Sequence, residues 1–196
     1  MGKIFYVMGK SASGKDTIYK RIREELPELK IVVPYTTRPI REGERNGVEY
    51  HFTTEEDLKR RMAAGQVIEM RTYQTVFGPW SYATVQDGQI ALEKNSYLLI
   101  GTLESYQNTR AYFGADAMVP LYIEVEDGER LSRAIARERQ QKKPNFEEVC
   151  RRFLADAADF SEEKLEEAGI EKRFENRDFS ECIRVLLDEI AHYALN

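Results

Sequence analysis

The first stretch able to do chemistry is Gly9-Lys10-Ser11-Ala12-Ser13-Gly14-Lys15, which has the form Gly-x-x-x-x-Gly-Lys. Glycines at these positions let the backbone turn tightly, so that several N–H groups converge on one anion. A helix starting at the end of the loop adds its positive dipole end at the same point. Lys15 supplies a mobile charge for the outer phosphates of a nucleoside triphosphate. The contact set expected around these phosphates is Gly9, Ser11, Ala12, Ser13, Gly14, Lys15, Asp16 and Thr17. Asp16 occupies the place where this motif normally carries a hydroxyl residue. Its carboxylate suits Mg²⁺ held between it and the phosphates, since hard cations take carboxylate oxygen. The alternative role is to complement the helix dipole, with Thr17 bonding a phosphate oxygen instead.

The second constellation runs from Thr36 to Phe52: Thr-Thr-Arg-Pro-Ile-Arg-Glu-Gly-Glu-Arg-Asn-Gly-Val-Glu-Tyr-His-Phe. Arg38 and Arg41 lie three residues apart on a polar loop and can grip one phosphate from two sides, because a guanidinium fork matches phosphate oxygens. The Tyr50 hydroxyl adds a third donor. Further along, Glu69 closes the apolar run Val67-Ile68.

These groups need elements to hold them. Ile4 to Met8 is a continuous apolar run, as in a strand buried on both faces of a parallel sheet. Ile18, Ile22 and Leu26 recur at helical spacing until Pro27. Short strands are expected at 31–33, 50–52, 67–70, 97–100, 119–125 and near Phe174. Helices are expected from Thr54 to about Ala64, with a weak capping box to Asp57, and from 127 to 141, 146 to 167 and 180 to 195. A poor helix is expected from about Thr84, interrupted by Gly88. Alternating strands and helices at both ends imply an α/β chain with a doubly wound parallel sheet. Residues 35 to 82 break the rhythm and read as a small inserted β-rich lobe.

From Thr36 to Phe52, together with the upstream phosphate loop, the sequence resembles the guanylate kinase family, and more loosely it does so over nearly the whole chain. The resemblance implies one domain, with a core at 1–34, 83–126 and 168–196, an acceptor lobe at 35–82 and a helical lid at 127–167. It implies transfer of the ATP γ-phosphate to GMP, with Mg²⁺ as cofactor. Arg38, Arg41 and Tyr50 are then expected on the GMP phosphate and Glu69 on guanine, whose N1–H and exocyclic amine are adjacent donors that a carboxylate can accept, a pair that adenine lacks. Lid arginines are expected over the triphosphate, with Arg133, Arg137 and Arg152 the leading candidates and Arg130 and Arg139 after them. Asn176 is expected near adenine. The sequence also departs from the family pattern. Pro34 stands where serine is usual, and Val76-Phe77-Gly78-Pro79 replaces a Tyr-Tyr-Gly segment. Phe77 takes the place of a phosphate-binding tyrosine in the acceptor set, and Ser81 or Tyr82 is expected to replace the family's hydroxyl on the base. Gly101-Thr102-Leu103-Glu104 replaces a segment carrying aspartate, with Glu104 as the stand-in. Two other readings stay open: a related kinase with a different phosphorylated acceptor, and a non-catalytic binding module.

The totals fit this picture. Hydrophobic residues make up 42% of the 196 residues and charged residues 32%, the balance of a folded chain. The net charge of −5 argues against a broad nucleic-acid face. Cys150 and Cys182 cannot form a disulfide framework and read as small buried hydrophobes in helices. His51 reads as structural and His192 as exposed. Met1 to Met8 lacks the form of a signal peptide, and no stretch of about 18 apolar residues exists. The expectation is a cytoplasmic monomer or homodimer whose partners are ATP and GMP, with neither nucleic acid nor membrane.

Overall fold

Ile4–Met8 forms strand β1, and all five of its residues are buried, as its unbroken apolar run requires. It leads through the phosphate loop into helix α1, Lys15–Glu25, whose Ile18 and Ile22 are buried. A computed structural model describes residues 1–75 and 78–194. Strand β2 is only Lys30–Ile31, shorter than the apolar run predicts, because the chain leaves the first sheet there. It enters a second sheet at β3, Tyr35–Thr36. Strand β4, His51–Phe52, and helix α2, Glu55–Ala63, follow, with Thr54 capping the helix by accepting from the Asp57 N–H. The long hairpin strands β5, Val67–Thr75, and β6, Gly78–Val85, complete this sheet.

The helix expected from Thr84 is absent: β6 takes Thr84 and Val85, and residues 86–96 form loop and turns. Ser81, Ala83 and Val85 are buried in alternation, and Thr84 and Val85 are β-branched, so pairing with β5 wins over helix formation. Then come β7, Tyr97–Gly101, α3, Leu103–Phe113, and β8, Met118–Glu124. Helix α4 covers Asp127–Arg139. The single helix expected over 146–167 is two helices, α5 at Phe146–Asp159 and α6 at Glu162–Glu167. The break falls where Phe160 turns inward and Ser161, in extended conformation, caps α6 by accepting from the Lys164 N–H. Strand β9, Arg173–Glu175, and helix α7, Phe179–Ala194, end the described chain.

The first sheet has the order β2-β7-β1-β8-β9, with each neighbouring pair parallel. Side chains alternate along β1, so Phe5 and Val7 meet α1 and α7, while Ile4, Tyr6 and Met8 meet residues of α3 and α6. Both faces are therefore covered, as the continuous apolar strands require. The second sheet has the order β4-β3-β6-β5, with β3, β6 and β5 antiparallel. Its own small core gathers Tyr35, Leu58, Ala83 and Val85. Cys182 is buried as expected, but Cys150 is exposed on α5. Among the described residues no helix is long and apolar enough to cross a membrane.

Candidate functional site

The phosphate loop sits at the C-terminal end of β1, where open α/β sheets bind ligands. Gly14 has φ +87, and a Cβ there would lie 2.5 Å from the Asn176 amide nitrogen, so only glycine fits. Asn176 is buried beneath the loop and donates its side-chain N–H to the Ser13 carbonyl at 2.8 Å. Its own backbone carbonyl accepts from Arg133 Nη2 at 3.1 Å. Both residues were expected on ATP, and both are engaged in holding the loop and the β9–α7 connection. Lys15 and Asp16 open α1, with Nζ 3.7 Å from the Asp16 carboxylate and the Asp16 side chain 80% exposed.

Arg130 is almost fully buried at the tip of this loop. It donates from Nη1 to the Ser11 carbonyl at 3.1 Å and to Asp156 at 3.0 Å, and from Nη2 to Asp127 at 3.0 Å. Its guanidinium lies over the Phe153 ring, 4.4 Å from the centroid. Asp156 also accepts from the Ser11 N–H at 2.8 Å. The loop is thereby tied to both α4 and α5. Beside it, Arg137 and Arg152 line a cavity of about 740 Å³ that reaches Ser11. Arg152 and Arg151 both pair with Glu148 on their own helix, and these bonds pull the Glu148 carboxyl down to about 2. Arg139 is exposed on α4.

On the second sheet Arg38 is buried and forked onto Glu44, Nη1 to Oε2 at 3.0 Å and Nη2 to Oε1 at 2.8 Å. The Arg41 backbone N–H donates to the same carboxylate at 2.8 Å, while the Arg41 side chain is exposed. Arg38 and the Arg41 N–H together hold Glu44 below its ordinary pKa. The Tyr50 ring lies under Arg38, 5.3 Å from the guanidinium carbon, and burial raises the pKa of its hydroxyl. Tyr50 meets Tyr82, and Tyr82 meets Tyr73, with centroids 5.8 and 5.9 Å apart.

The register of the hairpin decides which residues join this strip. Arg71 opposes Tyr82 and Glu69 opposes Thr84, so all four share one face. Ser81 opposes Thr72 on the other face and bonds its hydroxyl at 2.8 Å. Of the two candidates for the hydroxyl on the base, Tyr82 therefore faces Glu69, and the expectation for Ser81 is corrected. Glu69 is buried, with Oε1 accepting from Thr84 Oγ1 at 2.9 Å and Oε2 from Arg71 Nε at 3.0 Å. Arg71 reaches across to the first sheet and donates from Nη1 to Thr102 Oγ1 at 2.8 Å. Burial opposes the Arg71 charge, but Glu69, Tyr6 and Tyr73 outweigh it and raise its pKa. Thr102 caps α3 and accepts from Arg71, whereas Glu104, two residues on in the first turn, is exposed, so Thr102 rather than Glu104 meets this cluster. The floor beneath is tight: a Cβ on Gly101 would lie 2.2 Å from the buried Tyr6 hydroxyl. Phe77 lies outside the described residues.

Arg71, Thr84, Thr102 and Glu44 were absent from the expected acceptor set. Arg71 had a signal, since a residue two on from Glu69 in a strand must share its face. Thr102 and Glu44 had none that spacing could supply, because their partners come from other elements or from the folding of the loop.

A guanylate kinase family model matches residues 1–176. The guanylate kinase of Chlorobaculum tepidum is 29% identical over 175 residues, which covers 87% of this chain and 78% of that protein. That of Neisseria gonorrhoeae is 38% identical over 99 residues, half of this chain and 46% of that protein. The crystal structure of guanylate kinase from Anaplasma phagocytophilum superposes with a TM-score of 0.70 at 18% identity, over 100% of this chain and 87% of that one. With a glycine-built phosphate loop, an arginine-bearing second sheet and a family match across nearly all of its length, the chain belongs to the guanylate kinase family.

Proposed function

We propose that the chain transfers the γ-phosphate of ATP to GMP, releasing ADP and GDP. The observation that carries this reading is the continuous strip Arg38–Tyr50–Tyr82–Arg71–Glu69, which offers a cationic clamp at one end and a buried carboxylate at the other. A nucleoside monophosphate has the matching polarity, an anion at one end and a donor-rich base edge at the other.

In this reading the GMP phosphate takes over from Glu44 as the partner of Arg38, with Arg41 and Tyr50 completing the clamp. Guanine N1–H and its exocyclic amine donate to Glu69. Lys15 and the loop amides, Ser11 to Gly14 among them, hold the β- and γ-phosphates. An oxygen of the GMP phosphate then attacks the γ-phosphorus in line while the bond to the ADP oxygen breaks, so no enzyme-bound phosphate forms. Charge builds on the equatorial oxygens, and the protein's task is to position and neutralise it. Arg137 and Arg152, on the cavity beside Ser11, are suited to do so once the lid helices close. The exposed Asp16 carboxylate fits Mg²⁺, which takes one or two carboxylates plus phosphate oxygens. When bound, the ion would neutralise phosphate charge. The second sheet with α2 acts as the acceptor lobe, α4 and α5 as the lid, and the first sheet as the core. The substrates fit a cytoplasmic enzyme, as a monomer or homodimer.

A coupled assay with ATP and a panel of phosphorylated acceptors tests the proposal. Saturable turnover with GMP well above AMP, CMP, UMP and sugar phosphates is expected. Turnover with only a non-guanine acceptor would replace GMP, and none at all would favour a binding module.

A further inference from the structure

Glu69 accounts for only part of a guanine edge. Guanine presents two donors, the exocyclic amine and N1–H, followed by an acceptor, O6, with N7 beyond it. A carboxylate satisfies the donors and repels the acceptor. A hydroxyl is the simplest group for O6, but residue 34 is Pro34 and has none to offer, while the Ser81 hydroxyl is on the far face of the sheet with Thr72.

Arg71 is placed to supply the missing donor. It shares the face of Glu69 and is fixed at two points, Nε on Glu69 Oε2 at 3.0 Å and Nη1 on Thr102 Oγ1 at 2.8 Å. Nε and Nη1 are thus engaged, Nη2 has no hydrogen-bond partner among the described residues, and 15% of the Arg71 side chain is exposed. Arg71 thus presents an oriented, solvent-reachable donor edge beside the carboxylate. Each oxygen of Glu69 still has a lone-pair site for guanine, because a carboxylate accepts about four bonds. Anchoring two of the three nitrogens also reduces the rotamer freedom lost when the third one binds.

We infer that Arg71 is a specificity-determining residue that donates from its free guanidinium edge to guanine O6, so that Glu69 and Arg71 read the base as a pair. The inference rests on GMP being the acceptor. Adenine meets the pair with both polarities reversed. Its N1 lone pair faces a carboxylate and its amino group faces a guanidinium, so the pair rejects adenine as well as selecting guanine.

The test couples the side chain to the atom it reads. Steady-state kinetics are measured with GMP and 6-thio-GMP, in which a weaker acceptor replaces O6 while both donors remain. The wild type should prefer GMP by roughly tenfold or more in kcat/KM. Arg71→Gln should raise KM for GMP about 10- to 100-fold, the range for losing a charge-assisted bond, with a much smaller change in kcat. It should also close the gap between the two substrates. Arg71→Lys, which keeps a charge beside Glu69, should recover part of the gap. Equal losses on both substrates in Arg71→Gln, with the gap intact, would mean that Arg71 only steadies Glu69, and the inference fails. If the Gln variant does not fold, a wild type that uses GMP and 6-thio-GMP equally well overturns it without any variant. A wild type that neither binds nor phosphorylates GMP overturns the acceptor reading itself, and this inference with it.

Discussion

The second sheet and the helices α4 and α5 both carry arginines that the proposed reading places on phosphate, as acceptor lobe and lid, but they hold them in different ways. On the acceptor sheet Arg38 is forked onto Glu44 with 3% of its side chain exposed, and Arg71 bridges two sheets through Glu69 and Thr102. On the lid Arg151 and Arg152 pair with Glu148 one turn away on their own helix, with 66% and 57% of their side chains exposed. Exposed pairs within a helix contribute only about 0.3–0.5 kcal/mol, so ligand can draw those arginines away at little cost. The buried contacts of Arg38 and Arg71 hold their guanidinium groups in place before substrate arrives. In the proposed reading the acceptor side is thus suited to recognition and the lid side to movement. Arg130 is the exception that makes the point. It lies on α4 but is buried against Ser11, Asp127 and Asp156, and there it ties α4 and α5 to the phosphate loop.

The largest expected effect separates the donor side from the acceptor side. Lys15→Ala should lower kcat by about a thousandfold or more, since a preorganised charge on the transferring group is lost. Calorimetric GMP affinity should stay within a few-fold. A matching fall in GMP affinity would show that the two halves are not independent. Next, Arg38→Ala should weaken GMP by about 2–4 kcal/mol and leave KM for ATP nearly unchanged. Part of that loss reflects Glu44, left without the guanidinium that now lowers its pKa.

Arg152→Ala tests the lid half. It should lower kcat about 10- to 100-fold, a charge-assisted bond made in the transition state, while the denaturation midpoint barely moves. A marked loss of stability would mean that Arg152 is structural, as Arg130 is.

The smallest effect concerns α2, which supports the acceptor sheet. Asp57 accepts from Thr53 Oγ1 and Arg61 Nε, each at 2.8 Å, and Arg61 leads the groups that pull its pKa from the ordinary 3.8 to about 2. A lowered pKa means that the folded state favours the ionised form. Its stabilisation is complete above the unfolded value and is lost as pH falls from 3.8 toward about 2. Because solvent screens this pair, Asp57→Asn should cost about 0.5–1 kcal/mol at neutral pH. The variant and the wild type should converge in acid melts below that window, and a constant difference across it would rule the linkage out.

Much of the site was legible because its requirements are local. The phosphate loop needs glycines at set positions and a lysine at the helix start, and the phosphate clamp needs two arginines within one loop. Spacing along the chain records both. The helix expected at Thr84 failed because weak helical signals there yield to cross-strand pairing with β5, which no local window contains. The same holds for Ser81 against Tyr82, where a single step of register sends a side chain to the opposite face.

The sequence by itself pointed to the parallel core, the phosphate loop and the Arg38, Arg41 and Tyr50 group through residue type and short-range spacing, and to Glu69 through its resemblance to a family. Only the tertiary structure decided that Arg71 couples Glu69 to Thr102, that Glu44 occupies Arg38, and that Arg130 ties α4 and α5 to the phosphate loop. The reason is physical. A buried charge must find its partner within about 3 Å, and which group lies that close depends on how one loop folds for Arg38 and, for Arg71 and Arg130, on sheet register and helix packing across segments far apart in the chain.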